Sequence, residues 1–237
     1  MWDRTADLAQ GRILVEVGRH SQARARLQRA VARNPESSEA WCLLALCHSA
    51  LSRPGDMLAA AEQAVATEPD NEWGHRLRSY ALTRLARHDD AVATAREAVR
   101  LAPHSWKTHA QLARALEAAG LAECLGAARR AVELGPDEPE AHYGLGRVAM
   151  GVLFVGDLAE RSFRRALELD PDHARARESL AALARGEVAP VVAPPAAPPE
   201  ELPPPVAPSG RRSFREYLRA VFGRKGGKAT HNTEEDH

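Results

Sequence analysis

The histidines and cysteines are the side chains of this sequence best suited to metal binding or nucleophilic chemistry, and neither set is arranged for it. The ten histidines are scattered, and His104 and His109, five residues apart, would not share one helix face as zinc ligands do. Cys42 and Cys47 lie in an apolar run, which favours packing as small hydrophobic residues. The sequence has no GxSxG, HExxH, CxxC or P-loop motif, and no GxGxxG loop opening a βαβ unit. It therefore predicts neither an enzyme nor a metal site, and no cofactor.

Charge and composition exclude further classes of protein. The chain has 32 basic and 32 acidic residues, so its total charge gives no reason to expect a nucleic-acid partner. Aromatic residues make up only 5%, which favours closely packed helices over a β-sandwich. No uncharged apolar run reaches the roughly 18–20 residues of a membrane span, and the first residues lack the apolar core of a signal peptide. With an odd count of 3 cysteines, these features predict a cytoplasmic protein.

Any functional side chains must be positioned by elements that recur along the chain. Five segments share a pattern: AVARNP, AVATEP, AVRLAP, AVELGP and ALELDP, ending at prolines 35, 69, 103, 136 and 171. Between them, apolar residues spaced by three and four predict two amphipathic helices joined by a short turn. Proline disfavours the α conformation in the residue before it, so each proline should end a helix. Helices this short need neighbours that bury their apolar faces.

This periodic pattern resembles the tetratricopeptide repeat over roughly residues 4 to 171. The resemblance rests on small residues where helix backbones approach, bulky residues opposite them, and the closing prolines. These are Gly11, Gly18, Ala23, Ala30 and Pro35; Trp41, Leu44, Ala45, Ala64 and Pro69; Ala91, Ala98 and Pro103; Leu112, Ala113, Gly120 and Ala131; Leu145, Gly146, Ala159, Phe163, Ala166 and Pro171. Departures are Arg78 in place of Leu, a fourth repeat one residue short, and an extra residue within Val152 to Gly156.

The resemblance implies an all-α, right-handed solenoid of helical hairpins. Its five repeats would span approximately 4–37, 38–71, 72–105, 106–138 and 139–173. One more amphipathic helix at 172–186 would cap the array, with Gly186 as its C-cap.

The resemblance also implies a groove lined chiefly by the first helix of each hairpin. Transferring the groove positions of the family gives Arg12, Trp73, Arg76, Tyr80, Arg84, Lys107, Arg114, Tyr143 and Arg147, together with Glu16, Glu39, Cys42, Leu46, Glu117 and Glu140. Because guanidinium groups bind carboxylates bidentately and aromatic rings anchor peptides, these residues predict a site for an acidic peptide. The alternative is an ordinary solvated arginine face. Clamping of chaperone C-termini, an activity of this family, is not expected because Asn occurs only at 34, 71 and 232.

Beyond residue 186 the composition changes twice. Residues 187–210 hold nine prolines and no basic residue, which predicts an extended spacer; a ligand for an SH3-like partner is the weaker alternative. Ser213 and Glu216 form a capping-box pattern at the start of a short basic amphipathic helix within 211–237. The interacting side chains predicted there are Arg211, Arg212, Phe214, Arg215, Tyr217, Leu218, Arg219, Val221, Phe222, Arg224 and Lys225.

Several partners suit this tail: an anionic membrane bound weakly, a partner's groove, or the solenoid itself. A disordered, solubilising tail is the alternative, and the acidic ending Glu234-Glu235-Asp236 is also a candidate occupant of the basic groove. The function predicted is a non-catalytic adaptor or scaffold that holds a peptide of another protein. The alternative is a peripheral membrane- or nucleic-acid-associated factor acting through the tail. The sequence predicts no oligomeric state.

Overall fold

The structure, a computed structural model, describes residues 6–151 and 155–186, and all regular secondary structure in these ranges is α-helical. The eleven helices described are α1 (Ala6–Glu16), α2 (His20–Arg33), α3 (Ser38–Ala50), α4 (Pro54–Thr67), α5 (Glu72–Arg84), α6 (His88–Leu101), α7 (Trp106–Ala118), α8 (Cys124–Leu134), α9 (Pro139–Gly151), α10 (Gly156–Leu169) and α11 (Ala174–Ala184). The predicted all-α class is confirmed. The predicted spacer at 187–210 and the predicted tail at 211–237 lie outside the described residues.

Each helix packs mainly on the helices that precede and follow it in the chain. The odd-numbered helices also contact one another in order, α1 with α3, α3 with α5, α5 with α7 and α7 with α9. The last helix, α11, packs on α10 and α9. This neighbour-on-neighbour pattern is that of a helical-repeat array, in which each unit buries its apolar side against the next.

The prolines end the even-numbered helices as predicted. The residues just before them, Asn34, Glu68, Ala102, Gly135 and Asp170, terminate α2, α4, α6, α8 and α10 with φ between −133° and −140°. That extended backbone is what a following proline imposes. Side chains then start several odd-numbered helices: Ser37 accepts from Ala40 N, and Asn71 accepts from Trp73 N and Gly74 N. Such caps contribute about 1 kcal/mol each.

A ring-to-proline hydrogen bond recurs at the start of the odd-numbered helices. Trp41 Nε1 donates to Pro35 O at 2.8 Å. The Nε2 atoms of three histidines make the same contact six residues after a proline: His75 with Pro69 O, His109 with Pro103 O and His142 with Pro136 O, at 2.8–2.9 Å. Because a carbonyl only accepts, Nε2 must carry the proton. These three histidines, one in each of three successive repeats, therefore have a shared structural role that the sequence analysis did not recognise.

Small residues allow two hairpins to close tightly. A Cβ on Gly11 would lie 2.7 Å from Leu27 Cγ, and one on Gly146 would lie 2.6 Å from Phe163 Cε1. Both distances are too short for a real carbon contact, so no larger residue fits without a shift of the partner. These are the close approaches that the small-residue pattern predicts. Within the described ranges, no helix combines the length and apolar character that crossing a bilayer requires.

Candidate functional site

One open cleft, with a volume of about 610 Å³, runs along the odd-numbered helices. Its wall is formed by Leu46 of α3, by Glu72, Trp73, Arg76, Leu77 and Tyr80 of α5, by Trp106, Lys107, Ala110, Gln111, Ala113 and Arg114 of α7, and by Glu140, Ala141, Gly144, Arg147 and Val148 of α9. The even-numbered helices contribute only Ala128 and Ala131, both from α8. The cleft is therefore built by successive odd-numbered helices lying side by side.

Arg114 and Tyr80 form the centre of this cleft. The guanidinium carbon of Arg114 lies 4.9 Å from the centroid of the Tyr80 ring, a cation–π contact between α7 and α5. Burial lowers the pKa of Arg114, and the neighbouring cations Arg147 and Arg175 lower it further. Although burial acts to raise the pKa of Tyr80, the charges of Arg114 and Arg84 outweigh it and lower that pKa. The pKa shift of Arg114 thus reports mainly its burial, whereas that of Tyr80 reports the cations beside its hydroxyl group.

Most other charged groups of the cleft are already neutralised within the protein. Arg76 pairs with Glu72 at 3.0 Å. Arg147 pairs with Glu117, whose side chain is only 3% exposed, and burial raises the pKa of that carboxyl against the effect of Arg147.

The acid at the far end, Glu140, pairs with Arg175 of α11. Arg114 and Lys107, by contrast, form no ion pair with another described residue; Lys107 lies 5.7 Å from the Trp106 ring centroid. Within the described part of the chain, these two cleft cations thus lack an ion-pair partner.

The structure brings together six of the nine groove residues predicted from the sequence: Trp73, Arg76, Tyr80, Lys107, Arg114 and Arg147. The other three do not line the cleft. Arg12 pairs with Glu39 between α1 and α3, and Arg84 lies beside Tyr80 at the end of α5. Of the additional groove positions, Leu46 and Glu140 line the cleft, whereas Cys42 is fully buried. Glu16, Glu39 and Glu117 are not among the lining residues.

Tyr143 does not line the cleft, contrary to the prediction. It is 9% exposed and packs against Phe163 and His173, with the ring centroids 5.9 Å and 5.1 Å apart. Arg175 of α11 lies over its other face, 4.9 Å from the ring centroid. The physical reason is position: α11 packs on α9 and α10 and closes the cleft at this point. Tyr143 is therefore a core residue of the last hairpin.

Sequence reasoning missed several residues that line the cleft, among them Glu72 and Trp106. Each of these two stands three residues after a repeat proline, Pro69 and Pro103, and directly precedes a predicted groove residue. The signal that identifies them is this equal distance from the opening proline. Counting from it places both in the first turn of an odd-numbered helix, which lies at the rim of the cleft.

The remaining candidates for chemistry among the described residues are the metal-ligating side chains and the cysteine thiols. In the ranges 6–151 and 155–186, no three His, Cys, Asp or Glu side chains converge as metal ligands would. Burial raises the pKa of the Cys42 thiol to about 12 and that of Cys47 to about 11, so both stay protonated at neutral pH. Protonated, buried thiols are neither nucleophiles nor ligands.

Comparisons with known proteins agree with this architecture. A model of the tetratricopeptide repeat matches residues 8–72. A thermophilic tetratricopeptide repeat protein of Thermus thermophilus has a similar structure, with a TM-score of 0.71 at 23% identity, over 77% of this chain and 100% of that one.

Two further structures have lower scores. MamA of Desulfovibrio magneticus gives a TM-score of 0.56 at 16% identity, covering 72% of this chain and 96% of that one. YrrB, described as a TPR protein with an unusual peptide-binding site, gives 0.51 at 18% identity, covering 75% and 91%.

No curated protein sequence matches the chain. The identities to the solved structures establish a shared fold, and the repeat model establishes the repeat itself in the first helices. Together with the paired packing of α1 to α10, they show that residues 8–72 match the tetratricopeptide repeat and that the described residues share the fold of tetratricopeptide repeat proteins.

Proposed function

We propose that the chain is a non-catalytic adaptor whose cleft binds an acidic segment of a partner protein. The observation that carries this proposal is Arg114, a largely desolvated guanidinium held over the Tyr80 ring with no acid of the described residues paired to it. Arg147 and Arg175, each paired with an acid of its own, still lower the pKa of Arg114 further. A site of this kind favours a ligand that brings its own negative charge.

Among the described residues, no acid forms an ion pair with Arg114 in the cleft. Removing a cation from water costs several kcal/mol unless an anion compensates it. The face of a tyrosine ring compensates only in part, by about 2 kcal/mol when desolvated. An incoming carboxylate supplies the missing charge and can accept two parallel N–H bonds from one guanidinium. The carboxylate of the ligand would therefore pair mainly with Arg114, and Lys107 would supply a second positive charge.

The shape of the cleft supports a peptide rather than a small molecule. It is an open trough along α3, α5, α7 and α9, and its lining includes small or apolar residues such as Ala110, Gly144 and Val148. Helical-repeat arrays commonly bind extended segments along such surfaces. The peptide-binding site named for the structurally similar YrrB is in keeping with this use of the fold.

Arg114→Gln tests the proposal. We expect the affinity of the full chain for a fluorescein-labelled Gly-Ser peptide with a central run of glutamates to fall by about 10- to 150-fold, since charged hydrogen bonds contribute about 1.5–3 kcal/mol. Fluorescence anisotropy at low and high salt measures it. Arg96→Gln, on an exposed site of α6 outside the cleft, is the matched control.

Arg114→Lys separates charge from geometry, because lysine keeps the charge but loses the bidentate contact. It should lie between the wild type and Arg114→Gln. Circular dichroism shows whether each variant keeps its helices. Equal affinities of Arg114→Gln, Arg96→Gln and the wild type, all folded, would reject the Arg114 site.

A further inference from the structure

The cleft carries aromatic surfaces that an acidic group alone does not need. Trp73 and Trp106 lie in the first turns of α5 and α7, and both are half-buried along the same wall as Tyr80. The Trp106 ring is seated on backbone, because a Cβ on Gly135 would lie 2.9 Å from its Cγ. Fixed rings of this kind offer flat apolar contact at a small entropic cost.

The two indole N–H groups of the cleft have no hydrogen-bond partner among the described residues. Trp41, in the core, donates its Nε1 proton to Pro35 O. Neither Trp73 nor Trp106 makes such a bond with another described residue. The cleft thus presents ring faces, unpaired N–H donors and the cations Lys107 and Arg114 together.

A ligand that uses all three features must bring apolar rings, unpaired carbonyl oxygens and carboxylates. An α-helix satisfies its own carbonyls, so it cannot serve the indole donors along its length. A polyproline-II segment has no internal hydrogen bonds, its carbonyls point outward, and its pyrrolidine rings stack on aromatic grooves. Resting on the proposed function, we infer that the partner's segment is proline-rich as well as acidic, and that Trp73 and Trp106 receive its prolines.

The same combination of residues occurs within this sequence and provides a probe. Residues 187–210 contain nine prolines, three glutamates (Glu187, Glu200 and Glu201) and no basic residue. A synthetic peptide of this sequence carries the chemistry that the cleft should select. Versions with every proline changed to serine, or every glutamate changed to glutamine, separate the two parts of the recognition.

The protein for the test is the full chain in which the nine prolines of 187–210 are replaced by serine, so that it does not present the same ligand itself. The readout is the set of tryptophan indole N–H signals in two-dimensional NMR, assigned with single Trp→Phe variants. We expect the peptide to shift the Trp73 and Trp106 signals and leave the Trp41 signal in place, because Trp41 is buried and already bonded.

The proline-to-serine peptide should bind about tenfold more weakly, since it loses ring stacking and pays more ordering entropy. The glutamine peptide should also weaken, and its affinity should be insensitive to Arg114→Gln. If the serine and proline peptides bind equally, the proline preference is wrong while the acidic site of the proposed function stands. If no acidic peptide binds, both proposals fail.

The source of the segment is decided by the unmodified chain. If a partner protein supplies the segment, as we infer, residues 187–210 leave the cleft free. The Trp73 and Trp106 signals of the unmodified chain should then match those of the serine-substituted chain before any peptide is added. The opposite result is that the Trp73 and Trp106 signals of the unmodified chain lie at the peptide-bound positions, and that the serine substitutions move them to the free positions. That result would show that residues 187–210 of the chain itself are the ligand, and it would contradict a partner protein as the source.

Discussion

His48 shows how strongly a single buried group can depend on its surroundings. Its side chain is 1% exposed, within α3. Burial lowers its pKa to about 3, and the cations Arg53 and Arg24 act in the same direction. Asp56 approaches Nδ1 only to 3.7 Å, too far for a good hydrogen bond. The imidazole is therefore neutral in the folded protein at neutral pH, whereas in the unfolded chain it titrates near 6.5.

This difference predicts a pH-dependent stability. Below pH 6.5 the unfolded chain binds a proton at His48 that the folded chain does not. The contribution of His48 to the free energy of unfolding is therefore fully present above pH 6.5 and is lost as the pH falls toward 3. Its slope is about 1.4 kcal/mol per pH unit. His48→Gln should remove that slope between pH 6 and 5 in urea denaturation. Parallel pH profiles for His48→Gln and the wild type would show that His48 titrates normally.

At the residue level, sequence reasoning placed some cleft side chains and missed others for a definable reason. Trp73, Arg76, Tyr80, Lys107, Arg114 and Arg147 line the cleft because helical periodicity alone fixes the direction in which they point. Tyr143 has the same periodicity, yet α11 covers it. Whether another helix lies over a given face depends on tertiary packing, which spacing along the chain does not encode.

At the scale of the helices, α3, α5, α7, α9 and α11 share one hydrogen bond near their first turns. The ring of Trp41, His75, His109 or His142 reaches back six residues to a proline carbonyl and ties the loop to the first turn of the helix. In α11 the guanidinium of Arg177 contacts Pro171 O at the same spacing. Three chemically different side chains thus satisfy one backbone acceptor. The shared property is an N–H donor at a fixed reach.

A ring without a donor should therefore loosen this junction. We expect His109→Phe to lower the free energy of unfolding by about 1 kcal/mol, the usual net value of such a bond, although ring volume is kept. His109→Trp restores an N–H donor as in Trp41 and should stay within about 0.5 kcal/mol of the wild type. Urea denaturation of the two variants provides the comparison. Equal losses in both would assign the effect to packing around the imidazole instead.

Helix ends were predictable at this scale because proline acts locally. The five pre-proline residues adopt the extended backbone that the sequence predicts. The ring-to-proline bond was not recognised, because its donors differ in residue type and an indole and an imidazole look unrelated by composition. Counting six residues from each repeat proline reveals the equivalence. The alignment of a repeat is thus better judged by distance from the opening proline than by residue identity.

Across the described array, stability should be a sum of neighbour contacts rather than one common core. The helices contact mainly their neighbours in order, from α1 to α11. The last hairpin and α11 form their own cluster, with Tyr143, Phe163 and Ala176 buried together. In such an array a local defect can open one end while the rest remains folded. The cleft is lined by α3, α5, α7 and α9, so it lies across several of these repeats.

Ala176→Asp tests this independence, because Ala176 is fully buried in α11 against the last hairpin. An unpaired buried carboxylate costs several kcal/mol, so we expect amide hydrogen exchange to rise throughout α9, α10 and α11. Exchange in α1 to α6 should stay as in the wild type. Ala181→Asp, on the exposed side of the same helix, is the control and should change little.

Loss of protection from α1 onward in Ala176→Asp would instead mean that the array unfolds as one cooperative unit. The distinction bears on binding. If only the end opens, Ala176→Asp detaches the wall of the cleft that α9 supplies, including Arg147, while Tyr80 and Arg114 stay ordered between α5 and α7. Affinity for an acidic peptide should then fall less than in Arg114→Gln, because the central guanidinium and its ring remain in place.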